Sequence, residues 1–204
     1  MRYFVTAIGT DSGKTLVSAI LLTALKAHYW KPIQAGFPTD THTIRTWLPN
    51  QEINFHKEAY ALKMAASPHA AAGAENIKIT LKDITLPDTA ARPLVIEGAG
   101  GLMVPLNEKE FMIDLASHLD AEIILVADLY LGSINHTLLS VQLLKNRGCK
   151  VRGIIFNGPE NKDSQEFILN YAQYPLLLHI RPEKEINDTV INRYATELLK
   201  EWNR

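Results

Sequence analysis

The chain has one cysteine, Cys149, among 204 residues. That excludes an internal disulfide framework and any zinc site built on several thiolates. Long apolar runs are also missing: the longest uninterrupted aliphatic stretch, residues 123–127, falls far short of the roughly 20 residues that span a bilayer. No run of lysine and arginine stands out, and 21 basic against 22 acidic residues leave a formal net charge of −1. No global field therefore draws the chain to nucleic acid or to an anionic membrane, and neither is expected as a partner. The opening Met1-Arg2-Tyr3-Phe4 enters an apolar strand pattern directly, without the layout of a signal peptide. The expectation is a cytoplasmic protein. No internal repeat, low-complexity stretch or interdomain linker is visible, and the length suits a single domain over residues 1–204. At 47% hydrophobic and 21% charged, the chain has the makings of an ordinary packed core.

Strand-like apolar runs alternate with segments of helical period. This predicts an α/β fold of three layers, with a mainly parallel central sheet flanked by helices. Residues 3–8 read as the first strand. Beyond Gly13-Lys14-Thr15, the apolar positions Leu16, Val17, Ile20, Leu21, Ala24 and Leu25 recur at helical spacing. Residues 29–33 read as a short second strand with Pro32 near its end. Residues 94–97 and 122–128 are apolar runs that each finish in a carboxylate, as buried central strands of a parallel sheet do when their chemistry sits at the C-terminal tip. Helical period returns over 134–145, with Gly148 as its C-terminal stop. A strand at 151–157, a helix around 163–171, a short strand near 176–180 and a terminal helix complete the alternation. Residues 35–88 are the least regular, and loops and small helices over the sheet edge are expected there.

The most informative local pattern is Ala7-Ile8-Gly9-Thr10-Asp11-Ser12-Gly13-Lys14-Thr15, between a strand and a helix. Backbone N–H groups of such a loop point at phosphates, and the helix N-terminus adds partial positive charge. Lys14 would reach the β- and γ-phosphates and the Thr15 hydroxyl would coordinate magnesium. The strict pattern asks for glycine at Ile8, although glycines at 9 and 13 preserve flexibility. A dinucleotide loop fits worse, because G-x-G-x-x-G is absent.

Three further segments follow later strands: Lys31-Pro32-Ile33-Gln34-Ala35-Gly36; Glu97-Gly98-Ala99-Gly100-Gly101-Leu102, with Val104-Pro105-Leu106 behind it; and Leu131-Gly132-Ser133-Ile134-Asn135-His136. Together with the opening loop and Ser67-Pro68-His69, this order and spacing resemble the dethiobiotin synthetase family, a P-loop NTPase-like group, over residues 3–157. The resemblance implies synthesis of dethiobiotin from 7,8-diaminononanoate, CO2 and ATP with Mg2+, releasing ADP and phosphate. It implies that Lys14 and Lys31 neutralise charge during phosphoryl transfer, and that Thr15, Glu97 and a nearby aspartate hold magnesium. Nucleotide contacts are implied for Thr10, Asp11, Ser12, Gly13, Lys14, Thr15, Glu97, Gly98, Ala99, Gly100 and the strand-end Asn157, the last resembling an adenine-recognising asparagine. Substrate contacts are implied for Thr10, Lys31, Ala35, Gly101 and the backbone of Ser133, Ile134 and Asn135. The last three would act across a homodimer interface. Free N–H groups at a helix start suit a carboxylate, while Ser133 is equally suited to cap that helix.

The chain departs from the family pattern at Ala7 and Ala35, which replace a glycine and a hydroxyl residue, and at Leu178, where glycine is common. By spacing to Ile44, His42 falls where the metal-binding aspartate is expected, with Asp40 two residues earlier. Histidine is a poor magnesium ligand, so Asp40 is assigned the role. His28, His56, His118 and His179 show no ligand spacing, and Cys149 has no activating pattern around it. A switch ATPase of the same fold is the alternative reading. Such proteins carry an additional lysine early in the loop, and none precedes Gly13 in this one. A related amide-forming synthetase with a glutaminase domain would not fit within 204 residues.

Overall fold

A computed structural model describes residues 1–202. Strand β1 (Arg2–Ala7) runs through the glycine loop into helix α1 (Lys14–Leu25). The chain returns as β2 (His28–Trp30), continues as β3 (Ile33–Ala35) and forms α2 (Asp40–Trp47). Then come β4 (Phe55–His56), β5 (Tyr60–Leu62), α3 (Pro68–Ala74) and a single 3-10 turn at Leu81–Asp83. The second half alternates regularly: β6 (Leu94–Gly101), α4 (Met112–His118), β7 (Glu122–Asp128), α5 (Ser133–Asn146), β8 (Val151–Asn157), α6 (Lys162–Ala172), β9 (Leu176–Ile180) and α7 (Asp188–Trp202).

Seven strands form one sheet in the order β4-β2-β6-β1-β7-β8-β9, every pairing parallel. A parallel sheet must be covered on both faces, and β1 shows how. Tyr3, Val5 and Ala7 pack with Val17 and Ile20 of α1 and with Ile191 and Leu198 of α7. Phe4 points the other way, into a core with Met112 of α4, Val141 of α5 and Ile168 of α6. The period of two is hidden in the sequence because both faces are apolar. Among the described residues no helix is long and apolar enough to cross a membrane.

The strand expected at 29–33 is instead two strands in two sheets. Pro32 has no N–H to offer a ladder, and its carbonyl accepts from the N–H groups of Ala59 and Tyr60, both at 2.9 Å. Beyond it β3 pairs with β5 in a separate two-stranded parallel sheet. The strand expected to stop at Glu97 continues to Gly101, which pairs with Ala7 after a register shift in β1. Helix α5 closes in a double-bonded glycine stop: Gly148 at φ +61° donates to Lys145 O at 3.1 Å and Cys149 donates to Leu144 O at 3.1 Å. Its start closes one of the two readings left open for Ser133. Ser133 does not cap the helix; Gly132, at φ +99°, is the N-cap and no side chain caps it.

Gly153 of β8 lies against the edge strand. A methyl group there would sit 2.5 Å from Pro175 O and 2.7 Å from Leu177 Cγ, and that carbonyl is held by the Ile154 N–H at 2.9 Å. The carbonyl cannot retreat without losing its bond. Gly153→Ala is expected to cost about 1–3 kcal/mol, read as a lower denaturation midpoint with an unchanged slope. An unchanged midpoint would show that β9 yields freely.

Candidate active site

The C-terminal ends of β1, β2, β6 and β8 carry the polar residues, on the edge where open parallel sheets bind ligands. Gly13 is the N-cap of α1 at φ +95°, and no side chain caps that helix. Its first N–H groups have no hydrogen-bond partner among the described residues, which leaves them free for a phosphate. Lys14 folds back over the loop and donates to Gly9 O at 3.1 Å. Burial lowers its pKa below 10.5, repulsion from Lys31 lowers it further, and the charges of Glu97, Asp40 and Asp11 only partly offset this.

Below the loop three oxygens converge. Thr15 Oγ1 lies 3.0 Å from Asp40 Oδ1 and 3.0 Å from Glu97 Oε1. One hydroxyl proton cannot serve both carboxylates, so the group is poor in protons and rich in oxygen lone pairs. Lys31 supplies the cation, with Nζ 2.6 Å from Asp40 Oδ2 and 3.1 Å from Glu97 Oε1, and it also donates to Gly98 O at 3.2 Å. Lys31 and Glu97 are both buried, which rules out a solvated strand-end lysine. Burial pulls the Lys31 pKa down, but the charges and hydrogen bonds of Glu97 and Asp40 outweigh it and hold the ammonium above its usual 10.5.

Long-range structure makes this meeting possible. Parallel pairing sets Trp30 opposite Ile96, which places Lys31, at the exit of β2, beside Glu97 within β6. Asp40 opens α2, where Thr39 accepts from His42 N–H and Gln34 Oε1 accepts from Asp40 N–H at 3.2 Å. His42 is exposed and turned from the cluster. Spacing to Ile44 therefore misplaced the carboxylate: the helix cap, not the count along the chain, decides which residue faces inward. Sequence reasoning missed Gln34 and Tyr29. Tyr29 is fully buried and donates to Glu97 Oε2 at 3.0 Å, and burial, then the Glu97 charge, pushes its pKa well above 10.0. Its place inside a short strand gave no signal of a polar task.

A cavity of about 680 Å³ joins Thr10, Lys14, Thr15, Lys31, Asp40 and Glu97, with Asp11, Gly13, Ala35, Ala99 and Gly100 also on its wall. Gly101 lines a second cavity of about 600 Å³, which shares Thr10 and reaches His136 and Leu139 of α5. Ser133, Ile134 and Asn135 line neither. The Ser133 N–H is taken by Tyr130 O at 3.0 Å, whereas those of Ile134 and Asn135 have no hydrogen-bond partner among the described residues. Asn157 also lies off both cavities and donates to Ser12 O at 3.1 Å. Leu178 is buried in β9, opposite Ile155.

An uncapped helix start behind a glycine loop, with a lysine folded over it and a carboxylate–hydroxyl cluster beneath, defines a P-loop nucleotide-binding protein. A family profile described as an AAA domain matches residues 1–190. The chain is 56% identical over 202 residues to the ATP-dependent dethiobiotin synthetase BioD of Cytophaga hutchinsonii, covering 98% of each, and 48% identical to that of Christiangramia forsetii, covering 97% and 96%. It belongs to the dethiobiotin synthetase family. Among solved structures it resembles the septum site-determining protein MinD of Pyrococcus horikoshii, determined with Mg-ADP, with a TM-score of 0.59 at 16% identity, covering 100% and 97% of the two chains. At that identity the likeness concerns the fold.

The lowered Lys14 pKa has a measurable consequence. An anionic polyphosphate favours the ammonium form, so the pKa should rise on binding. Between the free and bound values the free protein is partly deprotonated and the complex is not. ATP binding at alkaline pH, approaching 10.5 from below, is expected to take up protons. Titration calorimetry in buffers of different ionisation enthalpy reads this directly, and proton release would contradict it.

Proposed function

We propose that this protein is an ATP-dependent dethiobiotin synthase that carboxylates 7,8-diaminononanoate with CO2 and closes the cyclic urea. Kinship with named dethiobiotin synthetases carries the substrate assignment, and the buried Lys31 between two carboxylates beside the loop is the observation that best supports the chemistry. In this reading one substrate amine adds to CO2 and loses a proton, leaving a carbamate. A carbamate oxygen attacks the γ-phosphorus, the bond to the β-phosphate oxygen breaks, and ADP leaves. The second amine attacks the carbonyl carbon of the mixed anhydride, the bond from that carbon to the phosphate oxygen breaks, and the nitrogen gives up a proton to the departing phosphate as the ring closes. No protein nucleophile is required, so the chain contributes positioning, charge neutralisation and exclusion of water.

Lys14 balances the β- and γ-phosphates, and Lys31 balances the carbamate and the transferring phosphoryl group. The loop residues Thr10 to Thr15 and the Glu97-Gly98-Ala99-Gly100 turn cradle the nucleotide, and Asn157 serves its base end. Thr15, Asp40 and Glu97 suit Mg2+: they offer hard oxygens, converge within hydrogen-bonding distance and share too few protons. When bound, the ion supplies positive charge to the phosphate oxygens. The diamine is assigned to the space shared by Thr10, which lines both cavities, with Ala35 on the wall of the first and Gly101 on that of the second.

The substrate carboxylate is assigned to the N–H groups at the start of α5, supplied by the second subunit of a homodimer. Supporting this, Leu131 is fully exposed at that helix start, and Leu139 and Met103 are more than half exposed beside the second cavity. Such apolar exposure suits a partner surface.

Purified protein given 7,8-diaminononanoate, bicarbonate and MgATP is expected to form dethiobiotin, detected by mass spectrometry, and to form none when any component is omitted. Lys31→Ala is expected to lower kcat by about 10²-fold or more. Absence of product with ATP still bound would redirect the assignment to another substrate. Separately, Leu131→Glu is expected to shift the sedimenting species from dimer to monomer and to abolish turnover. A fully active monomeric parent would remove the interface from the mechanism.

A further inference from the structure

The Asn157 side chain lies where two constraints on the phosphate loop meet. Nδ2 donates to the carbonyl of Ser12, at the crest of the loop, at 3.1 Å. The same nitrogen presses against the next residue: a methyl group on Gly13 would stand 2.5 Å from it and 3.2 Å from Cγ of the same amide. Gly13 is in the left-handed region at φ +95°, and its peptide orientation decides where the first N–H groups of α1 aim. The amide is borne on a rigid support. The Asn157 carbonyl accepts from Leu129 N–H at 2.7 Å, and the next residue's N–H donates to Ile180 O at 2.9 Å, so the tip of β8 is tied to both neighbours. Oδ1 of the same side chain has no hydrogen-bond partner among the described residues.

We infer that Asn157 is a positioning residue for the phosphate loop, setting its affinity for polyphosphate whatever base is attached. The hydrogen bond fixes the Ser12–Gly13 peptide and the packed amide blocks collapse of the crest, so the loop meets its anion already shaped. Preorganisation of this kind reduces the ordering cost of binding. The role lies beside any contact of Oδ1 with the base, because the two atoms of the amide face different partners. The inference rests on reading the loop as a polyphosphate cradle, and the test separates the two.

The probe is inorganic tripolyphosphate, which has no base, titrated with magnesium in parallel with ATP, well below the melting transition. Asn157→Leu keeps most of the side-chain volume against Gly13 and removes the donor; Asn157→Ala removes both. Both variants are expected to bind tripolyphosphate roughly 3- to 10-fold more weakly than the parent, the range set by loss of one net hydrogen bond. Asn157→Ala is expected to be the weaker of the two. An equal or larger loss for ATP supports the inference, any excess belonging to the base contact. Unchanged tripolyphosphate affinity in both variants, with or without a loss for ATP, overturns it and leaves Asn157 to the base alone. If Asn157→Leu fails to fold, Asn157→Ala carries the same comparison. A parent that binds no tripolyphosphate would instead remove the phosphate-loop reading itself.

Discussion

The site is organised around one buried cation held between two carboxylates. Lys31 meets Asp40 at 2.6 Å and Glu97 at 3.1 Å, and these three residues come from a strand exit, a helix start and a neighbouring strand. Burying an ammonium is costly unless it is paired, and removing one partner of such a pair strands the other. Each element that contributes is therefore held to the position of the other two. The surroundings carry that constraint outward. Tyr29 takes the second oxygen of Glu97, Gln34 holds the first turn of α2, and Thr15 closes the cluster from the loop side. A hydrophobic replacement of the same volume would stabilise a bare fold as well, so the charges at this place are better explained by chemistry than by stability.

The two lysines are held in different ways, and the difference gives the site its direction. Lys31 has its counter-charges within the protein and stays protonated. Among the described residues Lys14 hydrogen-bonds only to the carbonyl of Gly9, and it is pushed toward deprotonation by burial and by Lys31. The uncapped N–H groups after Gly13 lean the same way. The loop side is thus short of negative charge while the Asp40–Glu97 side is short of positive charge. An anion above and a divalent cation below would satisfy both, which is the pairing that MgATP brings.

Much of this architecture was legible along the chain. The strand at Glu122–Asp128 read directly from the unbroken apolar run 123–127, and that at Val151–Asn157 from the apolar residues 154–156, because a strand buried on both faces leaves little else possible. The glycine loop was legible because strand, turn and helix start are contiguous, so its geometry is local. Pro32 announced a break, but not that the chain beyond it would join a second sheet. The alternative of a Ser133 cap stayed open along the chain because serine and glycine both stand at that helix start, and the left-handed turn at Gly132 takes the position first.

What the sequence determined by itself was whatever depends on near neighbours: the alternation of strands and helices, the phosphate loop, the glycine stop at Gly148, and the motif order that marks the family. The tertiary structure decided which distant side chains meet. Spacing favoured His42 for the metal-side position, yet Asp40 turns inward because Thr39 starts α2 and Gln34 anchors its first N–H. Tyr29 became a polar partner only because β2 lies beside β6, and Asn157 reached the loop only because the tip of β8 lies next to Gly13. Periodicity reports burial and backbone bonding over a few residues. Contacts between strand tips depend on sheet order and register, which crossovers set across tens of residues and no local pattern encodes.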